Sequence, residues 1–118
     1  MSGPRYDTGF AVFESPVVSA ATAIKLGIDA GKTHCFLGAK FYSDAAGETP
    51  ATPTGGTIAV DIQTLNSSPA YEPPPVSTID ASNPATLSWA ANTDSVRATP
   101  SGVAGAAYWR ILVTCNWT

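Results

Sequence analysis

Charged residues are scarce in this sequence. They make up 13% of its 118 residues, against about 25% in ordinary soluble domains. Six are Lys or Arg, these six are scattered, and the formal net charge is −3. Nucleic-acid binding needs clustered basic side chains that displace counterions from phosphates, so the pattern argues against direct contact with DNA or RNA and against a polybasic membrane contact. Either Ser and Thr hydroxyls solvate the surface, or other subunits cover much of it.

Histidine and cysteine are nearly absent as well. The sequence has one histidine, His34, and two cysteines, Cys35 and Cys115, whose spacing matches no zinc or redox motif. Both cysteines lie in apolar runs, so we expect two buried free thiols that behave as small hydrophobic side chains. A disulfide between an early strand and the last one is the alternative, and a cytoplasmic origin argues against it.

Motifs that carry chemistry are missing too. The chain has no Gly-x-Ser-x-Gly nucleophile elbow, no phosphate-binding glycine loop and no Asp-rich calcium loop. Side chains of His34 and Cys35 point to opposite faces of a strand, which argues against a Cys–His pair. We therefore expect no catalytic residue, no metal ligand and no cofactor, and we interpret the protein as a non-enzyme.

Long apolar runs do not occur. No stretch approaches the roughly 20 apolar residues of a membrane span, and the first residues lack the basic and then apolar pattern of a signal peptide. We expect a chain that is made in the cytoplasm and that stays there or leaves inside a larger particle.

Short strands separated by Gly and Pro turns are what the sequence does contain. This pattern predicts one all-β domain over residues 10–118, a small antiparallel β-sandwich or barrel, preceded by an extended arm over residues 1–9. We expect strands at residues 33–42 and 57–65, paired as a hairpin with a long loop, and further strands at residues 86–91, 95–99 and 107–117. Residues 17–28 are ambiguous between helix and strand, and the alternation of Ile24, Leu26 and Ile28 favours strand. Residues 100–105 are expected to form a loop.

The closing strand carries two apolar stripes. Trp109, Ile111, Val113, Cys115 and Trp117 alternate with Tyr108, Arg110, Leu112, Thr114 and Asn116. A strand that is apolar on both faces is typical of a central strand or of one covered on both sides. We expect Trp89 and Trp109 in the core; a sugar-stacking platform of tryptophans is the alternative.

Residues 66–85 differ in kind from the rest, with five prolines and the run Pro73, Pro74, Pro75, which predicts stiff polyproline II. A segment of this length without regular structure is usually functional or disordered, with room for a local strand near residues 76–79. Aromatic, arginine and stiff apolar positions suit partner contact. The candidate contacts with subunits or partners are Arg5, Tyr6, Tyr71, Pro73, Pro74, Pro75, Val76, Tyr108 and Trp117.

The segment Ser95-Val-Arg-Ala-Thr-Pro-Ser-Gly-Val-Ala-Gly-Ala-Ala-Tyr-Trp-Arg-Ile-Leu-Val113 resembles the C-terminal region of small virion proteins of tailed bacteriophages, in which a strand of the type Tyr-x-Arg-Ile-x-Val closes a β-domain. The resemblance implies a capsid decoration or cement protein, found in the virion as a homo-oligomer such as a trimer and bound to the major capsid protein or other virion subunits. A tail or head–tail connector component, and a carbohydrate- or receptor-binding β-module, are the alternatives.

Overall fold

Two antiparallel sheets form the part of the chain that the computed structural model describes, which is residues 10–28, 34–64, 77–90 and 93–116. Sheet I has the order β1-β9-β4-β7, and β2 also pairs with β9; sheet II has the order β3-β8-β5-β6. The nine strands are β1 (Phe10–Glu14), β2 (Val18–Ser19), β3 (Ile24–Gly27), β4 (His34–Tyr42), β5 (Gly55–Thr64), β6 (Ser77–Asp80), β7 (Leu87–Trp89), β8 (Thr93–Ala104) and β9 (Tyr108–Asn116).

The two sheets pack face to face, which confirms the predicted β-sandwich. The described ranges contain strands and turns and no helix, so the ambiguous stretch at residues 17–28 forms β2 and β3. The N-terminal arm and most of the proline-rich segment lie outside the described residues.

Strand alternation builds the core between the sheets. The inner stripe of β9 is fully buried, and so are Ile58 and Val60 of β5 and Val96 and Ala98 of β8. Burial of apolar surface contributes about 25 cal/mol per Å², so this two-layer core supplies the main stabilisation. The alternate residues of β9, from Tyr108 to Asn116, are half-buried on the outer face of sheet I.

Trp89 and Trp109 belong to this core, as predicted. The Trp109 indole N–H donates to the backbone carbonyl of Thr22 at 3.0 Å, and the Trp89 indole N–H donates to the hydroxyl of Thr93 at 2.6 Å. The Trp109 ring also stacks on Phe41, with ring centroids 5.9 Å apart. Each indole therefore buries its rings without leaving its donor unpaired.

Ser15 bridges an interruption in the edge of sheet I. β1 and β2 both pair with β9, but Pro16 lies between them and has no N–H for the ladder. The Ser15 N–H donates to the carbonyl of Ile111 at 3.1 Å, and the Ser15 hydroxyl accepts from the Ile111 N–H at 3.0 Å. The buried Ser15 thus satisfies both backbone groups of Ile111 where the strand breaks.

The predicted hairpin between the strands at residues 33–42 and 57–65 is wrong. β4 pairs with β9 and β7 in sheet I, whereas β5 pairs with β8 and β6 in sheet II. The connection over residues 43–54 first follows β4, where the Ala51 N–H donates to Phe41, and then crosses to sheet II, where the Thr54 N–H donates to Ala104. A loop of this length can change sheets, so proximity in sequence did not decide the pairing.

The predicted loop at residues 100–105 is also largely wrong. β8 continues through Pro100 to Ala104 and pairs with the first half of β5. Gly102 has a φ of 67° and Gly56, opposite it, a φ of 110°, conformations that glycine adopts without steric cost. The two glycines therefore lie in an irregular part of the pairing between β5 and β8, and β8 continues past Gly102.

Cys35 and Cys115 form a disulfide, which corrects the expectation of two free thiols. The two residues are register partners on β4 and β9, with Cα atoms 4.1 Å apart, the close spacing typical of a non-hydrogen-bonded antiparallel pair. Both side chains point into the core. The fold places the two thiols side by side, and this contact outweighs the expectation of free thiols that was based on a cytoplasmic origin.

Candidate interaction surface

An apolar patch lies on the outer face of sheet I. One row crosses all four strands, with Val12 beside Thr114, Thr114 beside Phe36 and Phe36 beside Ser88. Val12 is 50% exposed, more than any other large apolar side chain of the described residues. Phe36 is half-buried, and its ring lies 4.8 Å from that of His34 at a tilt of 52°.

Leu112 extends the patch into the next row. It lies between Glu14 on β1 and Gly38 on β4, and the missing side chain of Gly38 leaves a shallow hollow beside it. We define the apolar outer patch as Val12, His34, Phe36, Leu112 and Thr114. It contains no Asp, Glu, Lys or Arg, and a mainly apolar surface of this kind is typical of one that packs against protein.

The other half of the same face is covered by the chain itself. Tyr42 is buried there beneath residues 44–49, and a Cβ built on Gly47 would lie 2.8 Å from Val17, so only glycine fits so closely. The Asp44 carboxylate holds this loop by accepting from the N–H groups of Glu48 and Thr49 at 3.0 and 2.8 Å. The apolar outer patch begins where this cover ends.

Arg110 marks the boundary between the covered and the open half. Its Nε donates to the Tyr42 hydroxyl at 3.3 Å, its guanidinium lies 5.7 Å from the Tyr42 ring centroid, and Glu14 is 3.6 Å away. The hydrogen bond to Tyr42 is the main reason that the pKa of Arg110 is raised. Arg110 is therefore occupied within the chain, which leaves the patch next to it apolar.

A groove opens at the edge of β4. Ala39 to Tyr42, residues 50–53 and Pro84 line it, and it encloses about 440 Å³. Its walls are mostly apolar: Ala39 and Phe41 on the strand, and Pro50, Pro53 and Pro84 opposite. We call it the edge groove.

The outer face of sheet II is polar. Its central row consists of Lys25, Arg97 and Asp61 on β3, β8 and β5, with an ion pair of 3.6 Å between Arg97 and Asp61. The neighbouring positions carry Ser, Thr and Gln. At the edge strand β6, Asp80 accepts from the hydroxyl of Ser82 at 2.8 Å, which lowers the pKa of that carboxyl. This face has the properties of ordinary solvated surface.

Of the predicted contact residues, the structure places Tyr108. It is half-buried at the start of β9, beside Tyr42 and Ser19, and so lies at the covered end of sheet I, away from the patch. Arg5, Tyr6, Tyr71, Pro73, Pro74, Pro75, Val76 and Trp117 lie outside the described residues.

Several described strand ends lie at one pole of the sandwich. Phe10 and His34 both pair with Asn116 in sheet I, and Thr64 pairs with Thr93 in sheet II. Ser77, the first described residue after position 76, pairs with Val60 in the middle of β5. The edge groove lies toward the opposite pole, where β4 ends and β5 begins.

Sequence reasoning missed the apolar outer patch as a site. The signal was available in the outer stripe of β9, which contains Leu112 between Arg110 and Thr114, and in Phe36 on β4. The edge groove had no local signal, because it forms where two separate segments meet the same strand.

Three further observations apply to the described residues. No helix among them is long and apolar enough to cross a membrane. No group of three His, Cys, Asp or Glu side chains is arranged to hold a metal ion. Every buried side-chain nitrogen or oxygen among them has a hydrogen-bond partner.

Comparison with known proteins gives a family and a distant structural similarity. A family model described as "Domain of unknown function (DUF7265)" matches residues 8–118. No curated protein matches the chain. Among solved structures, one described as "Bacillus endospore appendages form a novel family of disulfide-linked pili" is similar, with a TM-score of 0.40 and 12% identity over 100% of this chain and 98% of that one.

Proposed function

The chain belongs to the DUF7265 family, and from that premise we propose that it is a non-enzymatic structural protein that packs against other subunits of an assembled particle. The observation that carries this proposal is the apolar outer patch. The central strand β9 is apolar on its inner and outer stripes, and it presents Leu112 and Thr114 on an open face. Such faces are typical of protein interfaces.

The size of the open face favours a repeating assembly over an isolated pair. About five residues of each strand lie on the open half of the face, so four strands about 4.8 Å apart at 3.3 Å per residue span roughly 320 Å². Two such faces bury roughly 640 Å², well below the roughly 1,200 Å² at which stable interfaces begin. One contact of this size is weak, and many copies on one lattice add up to firm attachment.

In its most specific form, the proposal is a capsid decoration or cement role in a tailed phage. The outer patch would contact the major capsid protein, and copies of this chain would contact one another, as in a trimer. The resemblance of residues 95–113 to phage virion proteins supports this form. A tail or head–tail connector role uses the same physics, and the position of the protein in an imaged particle distinguishes the two.

A carbohydrate-binding role receives less support from the described residues. Trp89 and Trp109 are buried in the core, so neither ring is available to stack on a sugar. The aromatic rings of the apolar outer patch are those of Phe36 and His34, which pack against each other. A protein surface is the better match for this arrangement.

The first test is a substitution in the patch. Leu112→Lys places a charge in the middle of the apolar face, and we expect it to weaken binding to undecorated phage shells by about 30- to 100-fold, because a charge at an interface core must be desolvated. The binding measurement is co-sedimentation of the chain with shells over a concentration series.

Thr99→Lys is the matched control, since Thr99 is exposed on the outer face of sheet II. It should bind shells like the wild type, and circular dichroism should show both variants folded. Equal binding by all three proteins would contradict a role for this face. Binding by none, wild type included, would contradict the capsid role, and light scattering over a dilution series would then test for a self-assembled particle.

A further inference from the structure

β4 has an unpaired stretch of backbone at the edge groove. Along this edge, β7 pairs with Cys35 to Leu37, and the Ala51 N–H bonds to Phe41. Cys35 on β4 and Cys115 on β9 form a close pair of the type without backbone hydrogen bonds between its two residues. The N–H and carbonyl groups of Cys35, and of every second residue after it on β4, therefore point away from β9. Ala39 belongs to this set, and none of the described residues bonds to its N–H or its carbonyl on the groove side.

The groove thus offers a backbone donor and acceptor between apolar walls. Ala39 and the exposed Pro50 and Pro84 supply its accessible apolar surface, since Phe41 and Tyr42 are buried, and the exposed Lys40 supplies one cation at the rim. Extended, proline-containing segments suit an apolar groove beside a strand edge, because they lose little conformational entropy on binding. An edge strand with a free N–H and carbonyl suits the same kind of ligand.

One segment of this chain has the matching chemistry. Residues 65–76 contain four prolines, Tyr71 and Val76, and a single charged residue, Glu72. That charge is opposite in sign to Lys40 at the groove rim. The segment ends next to Ser77, which pairs with Val60 in the middle of β5, whereas Pro53 of the groove precedes Gly55 at one end of that strand, five residues or about 16 Å away.

We propose that the edge groove of one copy binds residues 71–76 of a second copy, with Glu72 near Lys40 and a backbone hydrogen bond to Ala39. This inference rests on the proposed function, because it names the partner for one of the subunit contacts. Donor segment and groove are different parts of the chain, so the contact is heterologous. Heterologous contacts of this type close into rings or continue as open chains.

A charge exchange tests the contact. Lys40→Glu places a carboxylate at the groove rim against that of Glu72, and Glu72→Lys places an ammonium group in the segment against that of Lys40. Each variant alone should therefore self-associate about tenfold more weakly at low ionic strength. In an equimolar mixture of the two variants, the altered groove of one meets the altered segment of the other, and their charges are opposite. We expect the mixture to regain association, measured by sedimentation velocity over a concentration series.

Exchange of the Ala39 amide provides a second readout that net charge does not move. In dilute wild-type protein this N–H should exchange faster than those of Gly38 and Lys40, which bond to β9. It should become protected as concentration rises and copies associate. The matched controls for charge are Lys25→Glu on sheet II and Glu48→Lys in the loop over Tyr42, and both should associate like the wild type.

Several outcomes would overturn the inference. A wild-type chain that stays monomeric to millimolar concentration would do so, and so would a mixture that fails to recover. If association recovered in the double variant Lys40→Glu/Glu72→Lys but not in the mixture, the two charges would pair only within one chain. The segment would then lie in the groove of its own chain. If Leu112→Lys lost shell binding but the charge exchange had no effect on self-association, this inference alone would be wrong. If the charge exchange altered self-association as expected but Leu112→Lys bound shells like the wild type, the capsid role alone would be wrong.

Discussion

The two sheets of this sandwich share one core but differ on their outer faces. Sheet I presents Val12, Phe36 and Leu112, with its nearest arginine bonded to Tyr42 and paired with Glu14. Sheet II presents a charged row and hydroxyl side chains. Water solvates the second face readily, whereas the first keeps apolar area exposed. The difference is the reason for proposing sheet I as the side that packs against other subunits.

The sheets also differ in how their strands are joined. In sheet I, a disulfide crosses the two central strands and a buried serine bridges the broken edge. In sheet II, the side-chain contacts across strands include an exposed ion pair and a 3.3 Å hydrogen bond from Ser95 to Gln63. The strands of sheet I are therefore joined more firmly than those of sheet II.

Removal of the disulfide is the change with the largest expected effect on this comparison. The bond joins residues 80 apart in sequence, and the chain-entropy model assigns about 4 kcal/mol of folding free energy to closing a loop of that size. Cys35→Ala/Cys115→Ala should therefore lower Tm by about 15 °C. Thermal unfolding followed by circular dichroism measures the change.

The thiol state provides the control for this prediction. Mass spectrometry of the unfolded wild type, alkylated without reductant, should find no modified cysteine. Two alkylated cysteines would mean that the bond is absent in the folded protein, and the double variant should then lose only the packing of two small side chains. In that case, the contrast in how the sheets are joined would disappear.

Substitution of Ser15 should have an intermediate effect. Ser15→Ala removes only the hydroxyl and leaves the Ile111 N–H buried without its acceptor, which costs about 1–3 kcal/mol. Urea unfolding should show this loss of stability at unchanged m-value. Ser95→Ala removes the corresponding cross-strand hydroxyl of sheet II and should cost less than about 1 kcal/mol; equal losses for the two would remove the distinction between the sheets at this point.

Much of this architecture follows from strand periodicity. The alternation in residues 57–65 and 107–117 predicts the buried stripes of β5 and β9, and the strand near residues 76–79 appears as β6. The apolar outer stripe of β9 also predicts cover on both faces. These predictions succeed because side-chain direction in a strand depends on local sequence alone.

The pairing between strands could not be predicted from strand periodicity. β4 and β5 are consecutive but belong to different sheets, since the loop over residues 43–54 changes layer at Thr54. The Cys35–Cys115 bond depends on β4 and β9 being neighbours in register, and the edge groove depends on where β7 stops beside β4. These are tertiary relations between distant residues, and the candidate contacts chosen from composition fell mainly outside the described residues.

The smallest expected effect concerns the charged row of sheet II. Arg97 and Asp61 are 61% and 44% exposed and 3.6 Å apart, and exposed pairs contribute about 0.2–1 kcal/mol, less at high salt. Lys25 beside Arg97 opposes part of this gain. A double-mutant cycle of Arg97→Ala and Asp61→Ala, measured by urea unfolding, should give a coupling below about 0.5 kcal/mol that vanishes in about 1 M NaCl. A coupling above about 1 kcal/mol that persists in salt would mean that this row holds its strands together. Sheet II would then have a reinforcement of its own, and the inference that sheet I alone is built for contact would rest on its apolar patch.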